Sequence, residues 1–454
     1  MPARRTGRLS RRRLLAGSAA GALIGAAWGI AMLSGAGPRA AAGPTPAVLH
    51  AAPAIVDAGR QVRLGAATVC PQPETDPCRI TQAAAFVQPA GVSGWTQVQG
   101  RPDAGGFAFT IAAQLVPPDG FAYWLRFTTA TGANVSYPPG GQGSPLRVLT
   151  TEGLPSRQIP GTFSWNDRRG PDGRVLRLRF GRADGRVGRS HATPDEPAMG
   201  PSSFDVGPDG SLYVVDWVQR RIEVFSASGR FVRALPSPTE QPTDIALRPG
   251  GGLYLAELGM GSTVYELGDA GRVIGRYPVG YGISARVAAT ANGPRVFVGP
   301  GQWTGVSLRA GVPLSAEQQS QTETSYVALA DGAVGVAAPI GPQGFAAAWT
   351  RPDGSRAGAQ VRLPAGVRPG TDYFVRPMAD GGAVVAESMW DDTHTGVGLF
   401  RFGPTGTVEG FSLLPEPSTQ QAARFSTVRF RPPGEVLVAY QSANAFTIER
   451  FEVR

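Results

Sequence analysis

The densest group of chemically active side chains lies in the segment ESMWDDTH, from Glu387 to His394. Glu387, Asp391 and Asp392 supply carboxylate oxygens of the kind that bind Ca²⁺, and His394 is the type of side chain that serves as a general acid or base near neutral pH. The spacing matches no recognised ion-binding loop. A charge-rich loop tip that is simply solvated is the favoured alternative. We therefore treat the segment as a candidate ligand-binding loop and assign no metal to it.

Three tryptophans form a second candidate group. Trp217, Trp303 and Trp390 stand at corresponding places in loops that follow short apolar runs. Tryptophan is frequent at recognition surfaces because it buries a large area and keeps an N–H group to orient a partner. Glu257 ends one of the same runs, as Glu387 does. These residues predict a ligand-binding surface formed by the loops, which we call the tryptophan rim. The alternative is that each indole packs over its own part of the fold.

Catalytic residue sets are poorly represented. The chain has three histidines, His50, His191 and His394, and His50 precedes the repeats described next, so the repeats cannot supply the three-histidine set of a catalytic zinc. No nucleophile elbow, phosphate-binding loop or Ser/His/Asp set is recognisable. A Ca²⁺ ion held by Glu257 and Glu387 is the enzymatic alternative. The residues favour a binding protein without a cofactor.

A turn followed by an apolar run recurs six times from residue 207 onward, at intervals of roughly 40 to 50 residues. The copies are GPDGSLYVVD (207–216), RPGGGLYLAE (248–257), TANGPRVFVG (290–299), ALADGAVGVAA (328–338), MADGGAVVAE (378–387) and RPPGEVLVAY (431–440). This interval is the length of a four-stranded propeller blade. We expect each run to be one strand of such a blade.

A second repeated piece places a glycine between two short strands, because a tight hairpin needs the positive φ that glycine adopts at little cost. The tips are Gly229, Gly271, Gly354 and Gly406. A further copy, with Asp184-Gly185 at its tip, precedes the first repeat, and none follows the last. We therefore expect the segment near 174–189 to complete the last blade. Six blades follow, with seven as the alternative because RVLRLRF adds one strand.

The blade at 204–225 carries a family resemblance. Its segments FDV, PDGSLYVVD and RRIEVF resemble the NHL repeat, in which D-G-x-hydrophobic-Y-V-x-D is followed by R-I-x-V-F. The resemblance implies a β-propeller that meets ligands on the face formed by the loops after each second strand. It also implies that Asp216 bonds loop backbone, whereas Trp217 lies outside the pattern. Some relatives are lyases or lactonases, which implies the alternative of a Ca²⁺-dependent enzyme centred in the propeller channel.

Residues 43–150 are predicted to form a separate β domain. Six or seven short alternating runs, separated by Pro, Gly and Asp turns, predict a β-sandwich. The segment FAYWLRFTTATGANVSYPPG, 121–140, resembles a hairpin of immunoglobulin-like or fibronectin-like modules. Cys70 and Cys78 are expected to close a small structural disulfide, as an even pair does in an exported chain. Residues 151–173 are predicted to form a linker.

The first 42 residues are similar to a twin-arginine export signal. Arg11 and Arg12 precede an uncharged Ala/Gly-rich stretch, and the small residues 40–42 suit a signal peptidase. The alternative is an uncleaved anchor, since such a stretch is long enough to cross a bilayer core of ~30 Å. We expect cleavage, and hence a soluble mature chain that is secreted or associated with the cell envelope.

The charge distribution argues against nucleic-acid binding. All 43 basic residues are Arg, and the formal net charge is +9. Seven of these Arg lie in the first 42 residues, which contain no acid, so the rest of the chain is nearly neutral. Such a chain exerts no overall pull on a phosphate backbone.

Taken together, the residues predict an exported all-β protein with an immunoglobulin-like β-sandwich and an NHL-like β-propeller over residues 174–454. Its predicted function is that of a binding or scaffold protein that uses the propeller rim. The expected partner is a protein, peptide or glycan in the cell envelope or outside the cell.

Overall fold

The structure is a computed structural model and describes residues 46–50, 53, 55–69, 79–103, 106–138, 140–143, 145–192, 198–248, 250–257, 262–280, 286–290, 293–299, 302–305, 327–328, 334–415, 428–431 and 434–452. Apart from two 3₁₀ turns, Ala113–Leu115 and Gly141–Gly143, all regular structure in these ranges is strand. The all-β prediction is confirmed for this part of the chain. No helix in it is long and apolar enough to cross a membrane. The export signal with Arg11 and Arg12, and the pair Cys70 and Cys78, lie outside the described residues.

Between residues 46 and 150, the residues that the structure describes form ten strands. They are β1 (Ala47–His50), β2 (Ile55–Val56), β3 (Val62–Val69), β4 (Ile80–Pro89), β5 (Thr96–Gln99), β6 (Arg101–Asp103), β7 (Gly106–Ile111), β8 (Phe121–Thr129), β9 (Asn134–Tyr137) and β10 (Leu146–Thr150). One sheet has the order β1-β3-β7-β6. The other has the order β2-β10-β8-β4-β5, with β9 also paired to β8. Strands β2 and β10 run parallel.

These two sheets share one core. Leu64 on β3 and Phe109 on β7 are buried together with Leu125 and Phe127 on β8, and the ring centroids of Phe109 and Phe127 are 6.3 Å apart. Successive side chains of a strand point to opposite faces, so alternate residues supply this core. Burial of each such side chain stabilises the fold by about 1.5–3 kcal/mol. The two-layer β arrangement expected from the alternating runs is therefore present.

Within residues 156–452, the described part of the chain contributes 24 further strands. They are β11 (Ser156–Gln158), β12 (Gly173–Arg179), β13 (Ser203–Val206), β14 (Leu212–Asp216), β15 (Arg221–Phe225), β16 (Phe231–Pro236), β17 (Pro242–Leu247), β18 (Leu253–Glu257), β19 (Ser262–Leu267), β20 (Val273–Gly280), β21 (Val287–Thr290), β22 (Gly293–Gly299), β23 (Gln302–Gly305), β24 (Val327–Ala328), β25 (Val334–Pro339), β26 (Gly344–Thr350), β27 (Arg356–Arg362), β28 (Arg368–Pro377), β29 (Ala383–Trp390), β30 (Thr395–Phe402), β31 (Val408–Leu413), β32 (Val428–Arg431), β33 (Glu435–Gln441) and β34 (Ala445–Glu452).

Consecutive strands of this region pair into six sheets within the described ranges. The sheets are β13 to β16, β17 to β20, β21 to β23, β24 to β27, β28 to β31 and β32 to β34. The six repeated apolar runs form the second strand of each sheet, namely β14, β18, β22, β25, β29 and β33. The predicted hairpin tips join third strands to fourth strands, with φ of 76° at Gly229 and 81° at Gly354. The apolar runs and these four tips therefore have the structural role that the sequence predicted, whereas the copy with Asp184-Gly185 at its tip does not join two strands of a sheet.

Strand β12 joins the last sheet and not the first. It runs antiparallel to β34, with Leu176 opposite Ile448 and Leu178 opposite Phe446, and all four side chains are buried. The segment expected to complete the last blade therefore reaches that sheet through one strand. This strand contains most of RVLRLRF, the run that raised the seven-blade alternative.

The segment predicted as a linker is bonded to a sheet on each side of it, and on the preceding side the Thr151 N–H donates to the Val56 carbonyl of β2 at 2.9 Å. Strand β11, within it, pairs in parallel with β27. Gln360 Nε2 on β27 donates to the carbonyls of Thr151 and Leu154 at 3.0 and 3.1 Å. The short polar run SRQ of β11 has no strand pattern in the sequence. With these contacts, Pro44–Arg454 forms one compact unit.

Candidate functional site

A cavity of about 810 Å³ lies where the six sheets meet. The first strands β13, β17, β21, β28 and β32 line it, together with β25 from the sheet whose first strand, β24, has two residues. In the described part of the chain, each of these first strands has one edge without a strand partner. Backbone N–H and C=O groups on such an edge need other hydrogen-bond partners. The side chains that provide them also determine what the cavity can bind.

Asp244 and Arg429 are the centre of a buried polar network at this cavity. Arg429 Nη2 donates to Asp244 Oδ1 at 2.6 Å and to Ser203 Oγ at 3.0 Å, and Ser203 Oγ donates to the same carboxylate oxygen at 2.6 Å. Asp244 Oδ2 accepts the Val287 N–H at 3.0 Å. The side chains of Asp244 and Arg429 are only 4% and 12% exposed. One ion pair therefore links strands of four sheets.

Asp205 is a second carboxylate of the network. Its Oδ2 accepts the Leu247 N–H at 2.7 Å and its Oδ1 accepts the Val206 N–H at 2.9 Å, while Arg429 Nε lies 3.5 Å from Oδ1. Burial raises the pKa of Asp205, and Arg429 and the two N–H groups oppose the rise. Asp205 and Asp244 thus each accept an N–H at the first strand of the following sheet. Because both carboxylates are engaged in this way, they join the sheets to one another.

The rest of the cavity wall is largely apolar and aromatic. Phe374 and Phe430 meet edge to face, with ring centroids 6.1 Å apart. The guanidinium groups of Arg286 and Arg429 lie 5.0 and 6.0 Å from the Phe374 centroid, which is the range of a cation–π contact. A wall of this kind can hold a group that presents an apolar surface and a few hydrogen-bonding atoms.

The cavity extends to the turns that join first strands to second strands. Residues 207–209 and 250–252 line it, and these turns precede β14 and β18. Trp217 and Glu257 stand at the opposite ends of the same two strands. The loops that carry the predicted tryptophan rim therefore lie at the opposite end of these strands from the turns that line the cavity.

Asp216 and Trp217 are adjacent in sequence but differ in role. Asp216 is fully buried; its Oδ1 accepts the Gln219 N–H at 3.1 Å and its Oδ2 accepts the Gly188 N–H at 2.8 Å. This is the backbone-bonding role that the NHL resemblance implies. The Trp217 indole N–H donates to the Gly200 carbonyl at 2.6 Å. That N–H is therefore already bonded to the segment that precedes β13, the first strand of the same sheet.

Trp390 presents more of its ring to solvent. The residue is 38% exposed, the Arg368 guanidinium lies 4.8 Å from its ring centroid, and its indole N–H donates to the Pro369 carbonyl at 3.2 Å. Trp303 lies on β23 opposite Phe297, but its side chain is outside the described residues. Trp217 and Trp390 belong to the first and fifth sheets, and neither lines the cavity.

The segment ESMWDDTH ends in a tight turn between β29 and β30. Asp391 Oδ1 accepts the N–H groups of Thr393 and His394 at 2.7 and 2.6 Å. Desolvation raises the pKa of Asp391, but these bonds outweigh it and hold the pKa below its usual range. The His394 ring stacks on Trp165 with centroids 5.5 Å apart, and Asp392 is 85% exposed. Asp391 organises the turn, and the ligand-binding role of this segment stays a prediction.

Glu257 and Glu387 lie in different sheets. Glu257 accepts a hydrogen bond from the Tyr265 hydroxyl at 3.1 Å and another from Thr239, and Glu387 is fully buried in β29. Among the residues that the structure describes, no group of three or more His, Cys, Asp or Glu side chains is placed to hold a metal ion. The assignment of Ca²⁺ to these two glutamates stays a prediction.

Sequence reasoning missed the residues that line the cavity. Asp205 and Asp244 are the single charged residues of β13 and β17, within FDV and TDI, and Arg429 lies within VRF of β32, which also contains Arg431. One charge in a run of three carries no periodic signal. A comparison of the first strands across the repeats, in place of the loops after the second strands, would have brought these charges to notice.

No protein-family model matches the sequence, and no curated protein sequence matches it. Among solved structures, the chain is similar to a protein of unknown function from Bacteroides caccae, at 15% identity over 47% of this chain and 81% of that chain, with a TM-score of 0.29. It is similar to hydrazine synthase of Kuenenia stuttgartiensis at 13% identity over 55% and 79%, with a TM-score of 0.31. It is also similar to a streptogramin B lyase at 10% identity over 81% and 98%, with a TM-score of 0.22. Likenesses this weak carry no argument about function. The strand order and the central cavity themselves define a β-propeller-like protein.

Proposed function

We propose that the chain is an exported binding protein, with an immunoglobulin-like domain followed by a six-bladed NHL-like propeller whose central cavity is the ligand site. The sandwich supports the first assignment, because its sheet orders β1-β3-β7-β6 and β10-β8-β4-β5 correspond to the strand arrangement of immunoglobulin-like domains. Six successive sheets, with β12 used by the last one, support six blades. The similarity of the first 42 residues to an export signal supports a location in the cell envelope or outside the cell.

The composition of the cavity wall is the observation that carries the binding proposal. Phe374 and Phe430 offer apolar surface, while Arg429 is paired with Asp244 and Asp205. Because Arg429 is already paired with these two acids, a multiply charged group placed beside them would be desolvated without a free counter-charge. The cavity, at about 810 Å³, has the size of a small-molecule pocket. We therefore propose that it accepts a neutral or zwitterionic group of a glycan, peptide or protein partner.

The tryptophan rim is the competing location for the same function. Trp390 favours it, because its ring is partly exposed beside Arg368. Trp217 favours it less, because this residue is only partly exposed and its indole N–H is bonded to Gly200. The cavity is preferred because it is enclosed by residues from six sheets.

Binding of the full chain to a glycan array and to a random-peptide display library tests the location. Phe374→Leu and Phe430→Leu keep an apolar side chain but remove aromatic surface, so we expect at least about tenfold weaker binding of any captured ligand. Trp390→Ala should leave that binding unchanged. Chemical denaturation of each variant controls for folding.

The opposite pattern of binding losses would place the ligand site at the tryptophan rim. If captured ligands bind the two cavity variants as they bind the wild type, but are lost from a triple variant carrying Trp217→Ala, Trp303→Ala and Trp390→Ala, the rim is the binding surface and the cavity proposal is wrong.

A further inference from the structure

The segment between β12 and β13 is held to the first sheet by polar contacts. Asp216 Oδ2 accepts the Gly188 N–H at 2.8 Å. Gln219 Nε2 donates to the Gly181 carbonyl at 2.9 Å and to Asp216 Oδ2 at 2.6 Å. Asp216 thus bonds the segment both directly and through Gln219.

Arg221 makes the second set of contacts with the same segment. Its Nη2 donates to the carbonyls of Arg186 and Ala183 at 2.9 and 3.2 Å, and its Nη1 lies 3.6 Å from Asp184 Oδ1. The Arg221 side chain is 16% exposed. A largely buried guanidinium therefore faces the segment on one side and the sheet on the other.

The acids around Arg221 outnumber it. Glu223 and Asp216 are both 0% exposed, with Glu223 Oε1 at 2.5 Å from Arg221 Nη2 and Asp216 Oδ2 at 3.9 Å from Arg221 Nε. Asp184, which is 75% exposed, is the third acid. Two buried carboxylates that share one guanidinium leave one negative charge without a counter-charge. Such a site takes up a proton readily.

The direction of the proton coupling follows from burial. Burial raises the pKa of Glu223 to about 7; Arg221 and the Gly185 N–H lower it, and Asp216 and Asp184 raise it. Burial also raises the pKa of Asp216. Because the ordinary pKa of Glu is 4.5, the docked state holds this proton more tightly than the undocked state does. The stabilisation is complete below about pH 4.5 and is lost as the pH rises through about 7.

We propose that Glu223, Asp216 and Arg221 form a proton-controlled clasp that docks residues 181–188 on the first sheet in acidic medium and loosens them towards neutral pH and above. Val187 within the segment is 0% exposed and packs in a core that also contains Leu178 of β12 and Phe204 of β13. Loosening the clasp therefore exposes apolar surface at the joint between β12 and the first sheet. This property is independent of the ligand proposed for the cavity.

Hydrogen exchange measured by mass spectrometry on the full chain at pH 5 and pH 8, corrected for the intrinsic pH dependence, tests the clasp. In the wild type we expect the protection of residues 181–188 to fall by at least about tenfold over this interval. Glu223→Gln, which mimics the protonated side chain, should lose most of this pH dependence. Glu240→Gln is the matched control and should behave as the wild type, because Glu240 is 75% exposed and pairs with Arg220 at the surface.

Either of two hydrogen-exchange results would overturn the proposal. One is equal protection of the segment at both pH values in the wild type, and the other is a Glu223→Gln variant that keeps the wild-type pH dependence. A carbon-13 NMR titration of the glutamate carboxyls in the wild type needs no variant, so the test survives a Glu223→Gln chain that does not fold. A glutamate that titrates near pH 7 supports the clasp, and a spectrum without one contradicts it.

Discussion

At the scale of residues, the cavity network depends on a single cation. Arg429 reaches Asp244 at 2.6 Å and Asp205 at 3.5 Å, and both acids in turn accept N–H groups of neighbouring first strands. Removal of the guanidinium would leave a buried carboxylate, Asp244, and a partly buried one, Asp205, without this counter-charge. Removing one partner of a buried pair costs much more than an intact pair contributes, because the remaining charge stays desolvated.

Arg429→Met should therefore destabilise the chain strongly. We expect a loss of about 3 kcal/mol or more in the free energy of unfolding, measured by chemical denaturation. The matched change Arg63→Met breaks a pair with Asp103 at 2.6 Å in which the side chains are 67% and 48% exposed. Such a surface pair is worth less than about 1 kcal/mol. Similar losses for both variants would show that Arg429 does not neutralise a buried network.

His50 gives the sandwich a pH response opposite in sign to that of Glu223. Its ring nitrogens lie 2.6 Å from the Gly65 carbonyl and 2.7 Å from the Tyr123 hydroxyl. Burial lowers the pKa of His50 from 6.5 to about 4, although the Gly65 carbonyl opposes this. The folded state thus binds this proton less tightly than the unfolded state. Its contribution is complete above about pH 6.5 and is lost as the pH falls through about 4.

Urea denaturation of the wild type should show this contribution as up to about 3 kcal/mol lost between pH 7 and pH 4. His50→Gln keeps a hydrogen-bonding side chain that does not titrate, so the acid-induced loss should shrink. His394→Gln, at a half-exposed histidine, is the control and should follow the wild type. An acid response that is unchanged in His50→Gln would rule out His50 as its source.

Local patterns in the sequence identified some residues of the site region and not others. The backbone role of Asp216 was predictable, because the acid belongs to a repeated pattern whose hydrogen-bond partners are close in sequence. The hydrogen bond of the Trp217 indole N–H was not predictable, since its acceptor Gly200 lies 17 residues earlier in an irregular segment. The pair of Asp244 and Arg429 was still less predictable, because 185 residues separate the two partners.

At the scale of elements, the outer hairpins depend on glycine conformation. Gly354 has φ of 81° and no atom within 4 Å of where a Cβ would lie. A substitution there meets no steric clash with neighbouring residues and is opposed only by the backbone. A substitution at Gly354 therefore measures the cost of backbone strain at positive φ without a contribution from side-chain packing.

Gly354→Ala should lower the free energy of unfolding by about 1 kcal/mol, because alanine is strained at positive φ. Gly170→Ala is the comparison, at a glycine that also has open space around it but lies outside the positive-φ region. That change should be neutral or stabilise by up to about 1 kcal/mol, since it restricts the unfolded chain. Thermal unfolding of both variants measures the contrast, and equal effects would contradict a conformational origin.

Elements with local signals were predictable and those with only long-range partners were not. The second strands combine an apolar run with a preceding glycine turn, and all six form where expected. Strand β11 was missed because Ser156, Arg157 and Gln158 show no apolar alternation. Its pairing with β27 depends on residues about 200 positions away, which no short window of sequence contains.

At the scale of the whole molecule, the pairing of β12 with β34 determines whether the last sheet is complete. Leu178→Ala removes a buried side chain that faces Phe446. We expect a loss of about 2–4 kcal/mol, seen by calorimetry as a lower unfolding temperature. Arg177→Ala, at an exposed position of the same strand, should change little. A Leu178→Ala transition at the wild-type temperature would mean that this pairing contributes nothing to global stability.

The same pairing also dictates an order of events during synthesis. Arg174 and Glu449 are ion-paired across these two strands at 3.0 Å and are 275 residues apart in the chain. A contact over such a distance forms late, and no part of it can form before the final strand has left the ribosome. Until then β12 has been synthesised but its partner β34 has not, so its backbone edge and its apolar side chains are free to pair with another strand. Protection of the nascent chain by a chaperone or by the ribosome therefore matters most while the residues between 179 and 445 are being synthesised.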